Sequence, residues 1–143
     1  MSEDVSRYRI LDHTGDLAIL VRADTLPDLY DAATYALFDV ILDVGAVEAR
    51  ESLPLRIDGA ADAEDLLVRF LSELLFLHDA RHWLFRGARV RAIGHDSVDA
   101  EVLGERFDPA RHRVKRQIKA VTYHALLLSQ DAQGWSARVV LDL

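Results

Sequence analysis

The sequence predicts an α+β fold with two layers, in which two helices pack on one face of a largely antiparallel sheet. Two segments, residues 26–42 and 63–78, carry apolar residues at helical spacing. Seven shorter segments have the character of strands, and short turns join several of them. Helices that cover one face of such a sheet produce a two-layer α+β domain.

The first helix is predicted over residues 26–42. Thr25 is a suitable N-cap, Asp28 follows three residues later, and Pro27 stands in the first turn. Gly45 marks the exit from the helix. The apolar positions at helical spacing are Leu29, Ala33, Ala36, Leu37, Val40 and Ile41.

The second helix is predicted over residues 63–78. Asp62 can cap it, while Glu64 and Asp65 suit the positive end of the helix dipole. Its apolar stripe predicts a core-facing helix rather than a binding groove. That stripe consists of Leu66, Leu67, Phe70, Leu71, Leu74 and Leu75.

The remaining segments are predicted as strands with short connections. Residues 96–97 and 131–134 have turn-forming composition and predict two hairpins, which favour antiparallel pairing. The predicted strands are residues 8–11, 17–23, 53–58, 85–93, 98–103, 118–128 and 136–141.

Size and composition predict a single domain over residues 1–143 with its own core. No apolar run reaches the roughly 18 residues that span a membrane, and the acidic N-terminus lacks a signal-like apolar segment. We therefore expect a cytoplasmic protein without membrane association. The chain has no cysteine, which excludes disulfides, thiolate metal sites and cysteine catalysis.

Charge is distributed unevenly along the chain. The formal net charge is −7, yet residues 1–80 hold 6 basic and 17 acidic side chains while residues 81–143 hold 11 and 7. An acidic chain is a poor general nucleic-acid binder, so we expect no DNA partner. The most basic stretch is residues 111–116 (RHRVKR), which we expect to be a solvated loop or strand edge, with a basic contact face as the alternative.

Three groups of polar residues stand at the ends of predicted strands. Polar groups at such positions must be solvated, hydrogen-bonded or bound to something. The first group is Asp12, His13, Thr14 and Asp16, the second is Lys119, Thr122, Tyr123 and His124, and the third is Asp142.

Asp142 follows a strongly apolar strand, where a carboxylate is costly unless it is paired or coordinated. The α-carboxylate of Leu143 adjoins it, and Asp16 joins them if the first strands pair at this end of the sheet. Such oxygen ligands suit Ca²⁺, Mg²⁺ or Mn²⁺ rather than zinc. The alternative is that Asp142 is a solvated terminal residue and Asp16 a turn former.

The histidines offer weaker candidates. His13 and His124 could be zinc ligands or general bases, but neither stands in a recognised motif. His78 and His82 are four residues apart and lack an identifiable third ligand, so a surface role is favoured. Lys119 is expected to be either an exposed strand residue or a contact to a phosphate or partner.

Several segments, in order along the whole chain, resemble the archease family. The most specific are residues 13–16 (HTGD), 118–124 (IKAVTYH) and 139–143 (VVLDL). Other segments that resemble those of the family are residues 37–40, 66–68, 71–76, 104–108, 111–112 and 134–135. Two positions depart from the family pattern, because Gly15 stands where alanine is common and Gln117 where an acidic residue is common.

The resemblance implies a non-catalytic cofactor protein for the GTP-dependent RNA ligase of tRNA splicing and RNA repair. That ligase joins RNA 3′-phosphate or 2′,3′-cyclic phosphate ends to 5′-hydroxyl ends, and the cofactor protein promotes its guanylylation and its multiple turnover. The expected partner is the ligase, with tRNA contacted only through it.

The family's metal site carries over onto Asp16, Asp142 and a main-chain or terminal oxygen of Leu143. Ca²⁺ is the cation expected in a crystal, with Mg²⁺ and Mn²⁺ as the other candidates. Residues that could contact the partner or support the metal ligands are Asp12, His13, Lys119 and His124.

Two other functions compete with the activator hypothesis. A metal-dependent phosphoester hydrolase could use the two aspartates with His13 or His124 as base. A general chaperone or adaptor would need an exposed apolar stripe, and the well-patterned helices leave no obvious one.

Overall fold

The computed structural model describes residues 8–13 and 15–143, with Asp12 and His13 described by their backbone. The chain forms seven strands and two long helices in these residues. In chain order they are β1 (Tyr8–His13), β2 (Asp16–Ala23), α1 (Leu26–Ile41), β3 (Glu51–Ile57), α2 (Ala63–Arg81), β4 (Trp83–Ile93), β5 (Val98–Arg106), β6 (Ala120–Asp131) and β7 (Gly134–Asp142). A short 3-10 helix, Val44–Ala46, follows α1. No helix in the described ranges is long and apolar enough to cross a membrane.

The predicted α+β class with antiparallel pairing is confirmed, and the strands divide between two sheets. A four-stranded sheet has the order β1-β2-β7-β6, and a three-stranded sheet has the order β3-β5-β4. Helix α1 contacts β2 in the first sheet and β4 in the second, while α2 contacts β6 and β4. The two helices therefore connect the sheets through a shared core.

Both predicted helix starts are confirmed by their caps. The Oγ1 atom of Thr25 accepts a hydrogen bond from the Asp28 N–H at 3.2 Å. The Oδ1 atom of Asp62 accepts one from the Asp65 N–H at 2.8 Å. Helix α2 runs three residues past its predicted end, because the chain leaves the helix only at His82, whose φ of 64° is left-handed.

The core lies between the helices and one face of each sheet. Alternate strand residues point to opposite faces. The core-facing residues of β2 and β7 are Leu17, Ile19, Val21, Ala137, Val139 and Leu141. The intervening residues, among them Ala18, Leu20, Arg138 and Val140, lie on the opposite side, which we call the outer face.

Strand β6 is less regular than predicted. It begins at Ala120 rather than at residue 118 and continues to Asp131. Its register against β7 shifts between Thr122 and Leu127, so residues 123–126 form a bulge. Ala125 in this bulge has a φ of 51°. The two-residue turn between β6 and β7 lies inside the predicted turn 131–134.

Candidate metal site at the end of the four-stranded sheet

The four-stranded sheet places Asp16 directly opposite Asp142. The antiparallel pairing of β2 with β7 aligns these two residues, and Ala120 of β6 stands opposite Asp142 on the other side. On β1, His13 is the residue aligned with Asp16. Directly opposed residues present their side chains on the same face, so the two carboxylates share the outer face at this end of the sheet.

Main-chain hydrogen bonds fix the backbone around this pair. The Lys119 N–H donates to the Asp142 carbonyl at 2.7 Å, and the Leu143 N–H donates to the Gly15 carbonyl at 3.4 Å. Gly15 has a φ of 82°, a left-handed conformation that glycine adopts without strain. The left-handed backbone conformation of the turn between β1 and β2 therefore explains why glycine stands at position 15.

The electrostatics of the pair favour a cation. Asp16 is half-buried and Asp142 is exposed. Like charges directly opposite each other destabilise a strand pair. Within residues 8–13 and 15–143, no lysine or arginine side chain forms an ion pair with either carboxylate. A hard divalent cation with oxygen ligands would remove this repulsion.

The oxygen atoms present at this end of the sheet are of the kind that such a cation binds. Two carboxylates stand at opposed positions of neighbouring strands, and Leu143 has a main-chain oxygen one residue beyond Asp142. Among the residues whose side chains the structure describes, no group of three or more histidine, aspartate or glutamate residues is arranged to hold a metal. The predicted contributions of the Asp12, His13 and Thr14 side chains lie outside the described residues.

Lys119 is attached to the site by the hydrogen bond from its N–H to the Asp142 carbonyl, and its side chain is exposed. His124 lies elsewhere, in the bulge of β6 rather than in the row of Asp16 and Asp142. Its N–H donates to the Thr122 Oγ1 atom at 3.3 Å, and that hydroxyl donates to the Val140 carbonyl at 3.0 Å.

His78 and His82 form hydrogen bonds at the C-terminal end of α2. The Nδ1 atom of His78 lies 3.0 Å from the Trp83 carbonyl, and its ring meets Phe38 edge-on at 5.8 Å. His82 is the C-cap, and its N–H donates back to the His78 carbonyl at 3.0 Å. These bonds account for the histidine pair without a metal.

Within the basic stretch 111–116, the expectation of a solvated segment is wrong for His112, which is buried, while Arg111 is exposed but pairs with Glu105. Glu105, buried at the end of β5, receives hydrogen bonds from the Glu48 N–H at 2.8 Å, from His112 Nε2 at 3.0 Å and from the Arg111 guanidinium. His112 Nδ1 accepts from the Asp108 N–H at 2.9 Å, which leaves Nε2 to donate to Glu105.

These contacts set the charge state of Glu105. Burial alone raises the pKa of its carboxyl, but the hydrogen bonds from Arg111, the Glu48 N–H and His112 outweigh that effect and lower the pKa to about 2. A buried carboxylate is therefore held ionised. The following residues are anchored too, since the Lys115 and Arg116 N–H groups donate to the Ile41 carbonyl at 2.7 and 3.1 Å.

A second contact that the sequence did not predict joins the β6 bulge to helix α2. The Tyr123 hydroxyl donates to Asp65 at 2.6 Å, and the Leu128 N–H donates to Glu64 at 3.1 Å. The same Asp65 accepts from Arg69 Nε at 3.0 Å. The hydrogen bond to Asp65 raises the pKa of Tyr123 and lowers that of Asp65.

The comparison with known families decides the relationship. The sequence profile of the Archease protein family matches residues 8–143, a range that contains both opposed aspartates. The chain belongs to the archease family. Archeases are known as activator proteins.

Individual archeases resemble the chain over nearly its whole length. A protein archease of Methanosarcina acetivorans is 37% identical over 147 residues, covering 100% of both chains. One of Pyrococcus furiosus is 36% identical over 136 residues, covering 92% of this chain and 95% of the relative. The solution structure of protein 1598 of Methanobacterium thermoautotrophicum superposes with a TM-score of 0.78 at 27% identity, covering 96% of this chain and 99% of that one.

Proposed function

We propose that this archease is a non-catalytic, divalent-cation-binding activator of the GTP-dependent RNA ligase that joins RNA 3′-phosphate or 2′,3′-cyclic phosphate ends to 5′-hydroxyl ends. It promotes guanylylation and multiple turnover of that ligase in tRNA splicing and RNA repair in the cytoplasm. The observation that carries the proposal is the pair Asp16 and Asp142, opposed in register in a chain of the archease family. The ligase is the direct partner.

Asp16, Asp142 and a main-chain oxygen of Leu143 would hold the cation. When bound, the cation supplies positive charge that neutralises two opposed carboxylates. The chain's own contribution is to hold these ligands in place, because β2–β7 pairing fixes the aspartates and the Lys119 N–H anchors the Asp142 backbone. Asp12, His13, Lys119 and His124 are the candidates for contact with the ligase or support of the metal ligands.

Activation follows from preferential binding. A partner shifts a conformational equilibrium only by its difference in affinity for the two states. The archease would bind the ligase conformation that reacts with GTP more tightly than the unreactive conformation, and would dissociate to act on further ligase molecules.

The test is multiple-turnover ligation by a cognate RNA ligase with GTP and Mn²⁺, with the archease absent or present below the ligase concentration. We expect the archease to raise product per ligase many-fold. No rise, with a ligase active in single turnover, would contradict the proposal. Phosphate release from an RNA 3′-phosphate end by the archease alone would favour the hydrolase instead.

The geometry narrows the two alternatives. A hydrolase needs a base beside the cation, and His13, whose backbone is aligned with Asp16, is the candidate for it because His124 lies in the bulge away from the aspartate row. A chaperone needs a contiguous apolar surface. The exposed large apolar residues in the described ranges stand on several separate elements and are Ile10, Phe76, Val114, Tyr123 and Leu127.

A further inference from the structure

The outer face of the four-stranded sheet carries three arginines at the end away from the aspartates. The registers place Arg9 of β1, Leu20 of β2, Arg138 of β7 and Leu127 of β6 in one row. Arg22 of β2 stands in the next row. Opposed residues share a face, so all three guanidinium groups emerge on the same side of the sheet.

These three arginines differ from six other described arginines in having no ion pair with a described acidic side chain. Arg9 and Arg22 are exposed and Arg138 is half-buried, and none of the acidic side chains described in residues 8–11 and 15–143 forms an ion pair with any of them. The contact of Arg22 is a 3.4 Å hydrogen bond to the neutral Gln133 amide. Six other arginines have acidic partners within 4.0 Å: Arg50, Arg56, Arg69, Arg89, Arg91 and Arg111.

The overall acidity of the chain does not cancel this local charge. Arg138 is four residues from Asp142 along β7, or roughly 14 Å at the usual strand rise. The Debye length at physiological ionic strength is about 8 Å, so the two ends of the face are largely screened from each other. A polyanion approaching the arginine end meets a local excess of positive charge.

The spacing suits a linear polyanion. Neighbouring strands lie about 4.8 Å apart and successive rows on one face about 6.8 Å apart. The Cα atoms of Arg9 and Arg138, two strands apart, are therefore separated by roughly 10 Å, and those of Arg138 and Arg22 by roughly 8 Å. The hydroxyl groups of Ser129 and Ser136, 3.0 Å apart beside Arg22, add neutral hydrogen-bonding groups.

We propose that this arginine end of the outer face binds the phosphate backbone of a single-stranded RNA segment. The inference rests on the proposed function, because it places substrate RNA in direct contact with the activator instead of only with the ligase. Among the described residues, the rows of Arg9, Arg138 and Arg22 contain no aromatic side chain on which an RNA base could stack. Binding is therefore independent of sequence.

Other anionic partners fit less well. Anionic membranes are recognised by clusters of about four to eight basic residues, and the described residues of this arginine end include three. Exposed ion pairs with an acidic protein contribute only about 0–1 kcal/mol each. RNA adds the release of condensed counterions at each neutralised phosphate.

The experiment uses the whole archease without ligase and a fluorescently labelled oligouridine strand, with anisotropy measured at about 25 to 150 mM monovalent salt. For three neutralised phosphates, log K against log salt should have a slope of about −2. Arg9→Gln, Arg22→Gln and Arg138→Gln together should abolish binding, and each alone should reduce the slope by about 0.7.

The matched control is Arg89→Gln with Arg91→Gln, because both guanidinium groups lie on β4 of the other sheet and pair with Glu101. This variant should bind RNA like the wild-type protein. Absence of salt-dependent binding at the lowest salt, equal binding by the triple variant and the control, or equal affinity for polyglutamate or phosphatidylserine vesicles would overturn the inference. Because no ligase is present, this result is independent of whether the archease activates the ligase.

Discussion

Asp16 and Asp142 are like charges that the strand register holds opposite each other. The backbone around this pair is hydrogen-bonded in place, so the two side chains start from adjacent positions on one face of the sheet. A structure that retains such repulsion loses stability unless the pair binds a cation. We therefore expect the pair to destabilise the folded protein without a cation and to stabilise it when a cation is bound.

Asp142→Asn should raise the free energy of unfolding by about 0.5 kcal/mol in chelator, because it removes the repulsion. Added Ca²⁺ should stabilise the wild-type protein, by about 2.7 kcal/mol at 100 times the dissociation constant, and should leave the variant unchanged. Thermal unfolding with chelator and with Ca²⁺ measures both effects. Asp24→Asn, which changes an exposed aspartate beyond the other end of β2, is the control. An equal Ca²⁺ response in Asp142→Asn would contradict the metal site.

Glu105 makes a second residue-scale prediction, for stability against pH. The pKa of the Glu105 carboxyl is about 2 in the folded protein, compared with 4.5 for an unperturbed glutamate. The unfolded chain therefore binds a proton at this carboxyl more readily than the folded protein does. Its stabilisation is fully present above about pH 4.5 and is lost as the pH falls toward 2. Glu105→Gln should cost about 3 kcal/mol at pH 7 and progressively less on acidification.

Urea unfolding of both proteins at pH 7, 4.5 and 3 measures this difference in unfolding free energy. Glu51→Gln is the matched control, since Glu51 is an exposed strand residue. A Glu105→Gln penalty that stayed constant over this pH range would show that the carboxylate is not held ionised by its neighbours.

Strand β6 shows how one element serves two parts of the fold. Its first residues lie beside Asp142, and its bulge is bonded to the start of α2 through Tyr123 and Asp65. Inside the bulge, Ala125 has a left-handed φ of 51°, which costs an ordinary residue roughly 1–2 kcal/mol. The contacts to α2 keep the bulge in this conformation.

Ala125→Gly should therefore stabilise the protein by about 0.5 kcal/mol, because glycine relieves the left-handed strain but gains freedom in the unfolded chain. Ala110→Gly, at an exposed loop position without a left-handed φ, should be destabilising or neutral. Chemical denaturation compares the two. Destabilisation by Ala125→Gly equal to that of Ala110→Gly would show that the bulge carries no such strain.

At the scale of the whole molecule, the β2–β7 pairing joins segments more than a hundred residues apart in sequence. The helices were predictable because their signals are local, as the Thr25 and Asp62 caps illustrate. The meeting of Asp16 with Asp142 followed from sequence only on the condition that these strands pair. The apolar character of residues 139–141 indicated a central strand, and did not specify its neighbours.

The division into two sheets and the Glu105 cluster were not predictable for the same reason. Glu48, Glu105 and His112 belong to different segments and have no fixed spacing, so the basic stretch 111–116 was expected to be solvated. Similarly, the Tyr123–Asp65 contact depends on the position of a bulge. Sequence patterns report burial and local conformation, whereas these contacts depend on how distant elements meet.

The central claim is that the opposed aspartates carry the activation of the RNA ligase. The most direct measurement is product per ligase in multiple-turnover ligation with GTP and Mn²⁺, comparing wild-type archease, Asp16→Asn, Asp142→Asn and the Asp24→Asn control. All four proteins should show the same folded circular-dichroism spectrum. We predict that both site variants lose activation while the control retains it. Full activation by Asp16→Asn and Asp142→Asn would contradict the claim.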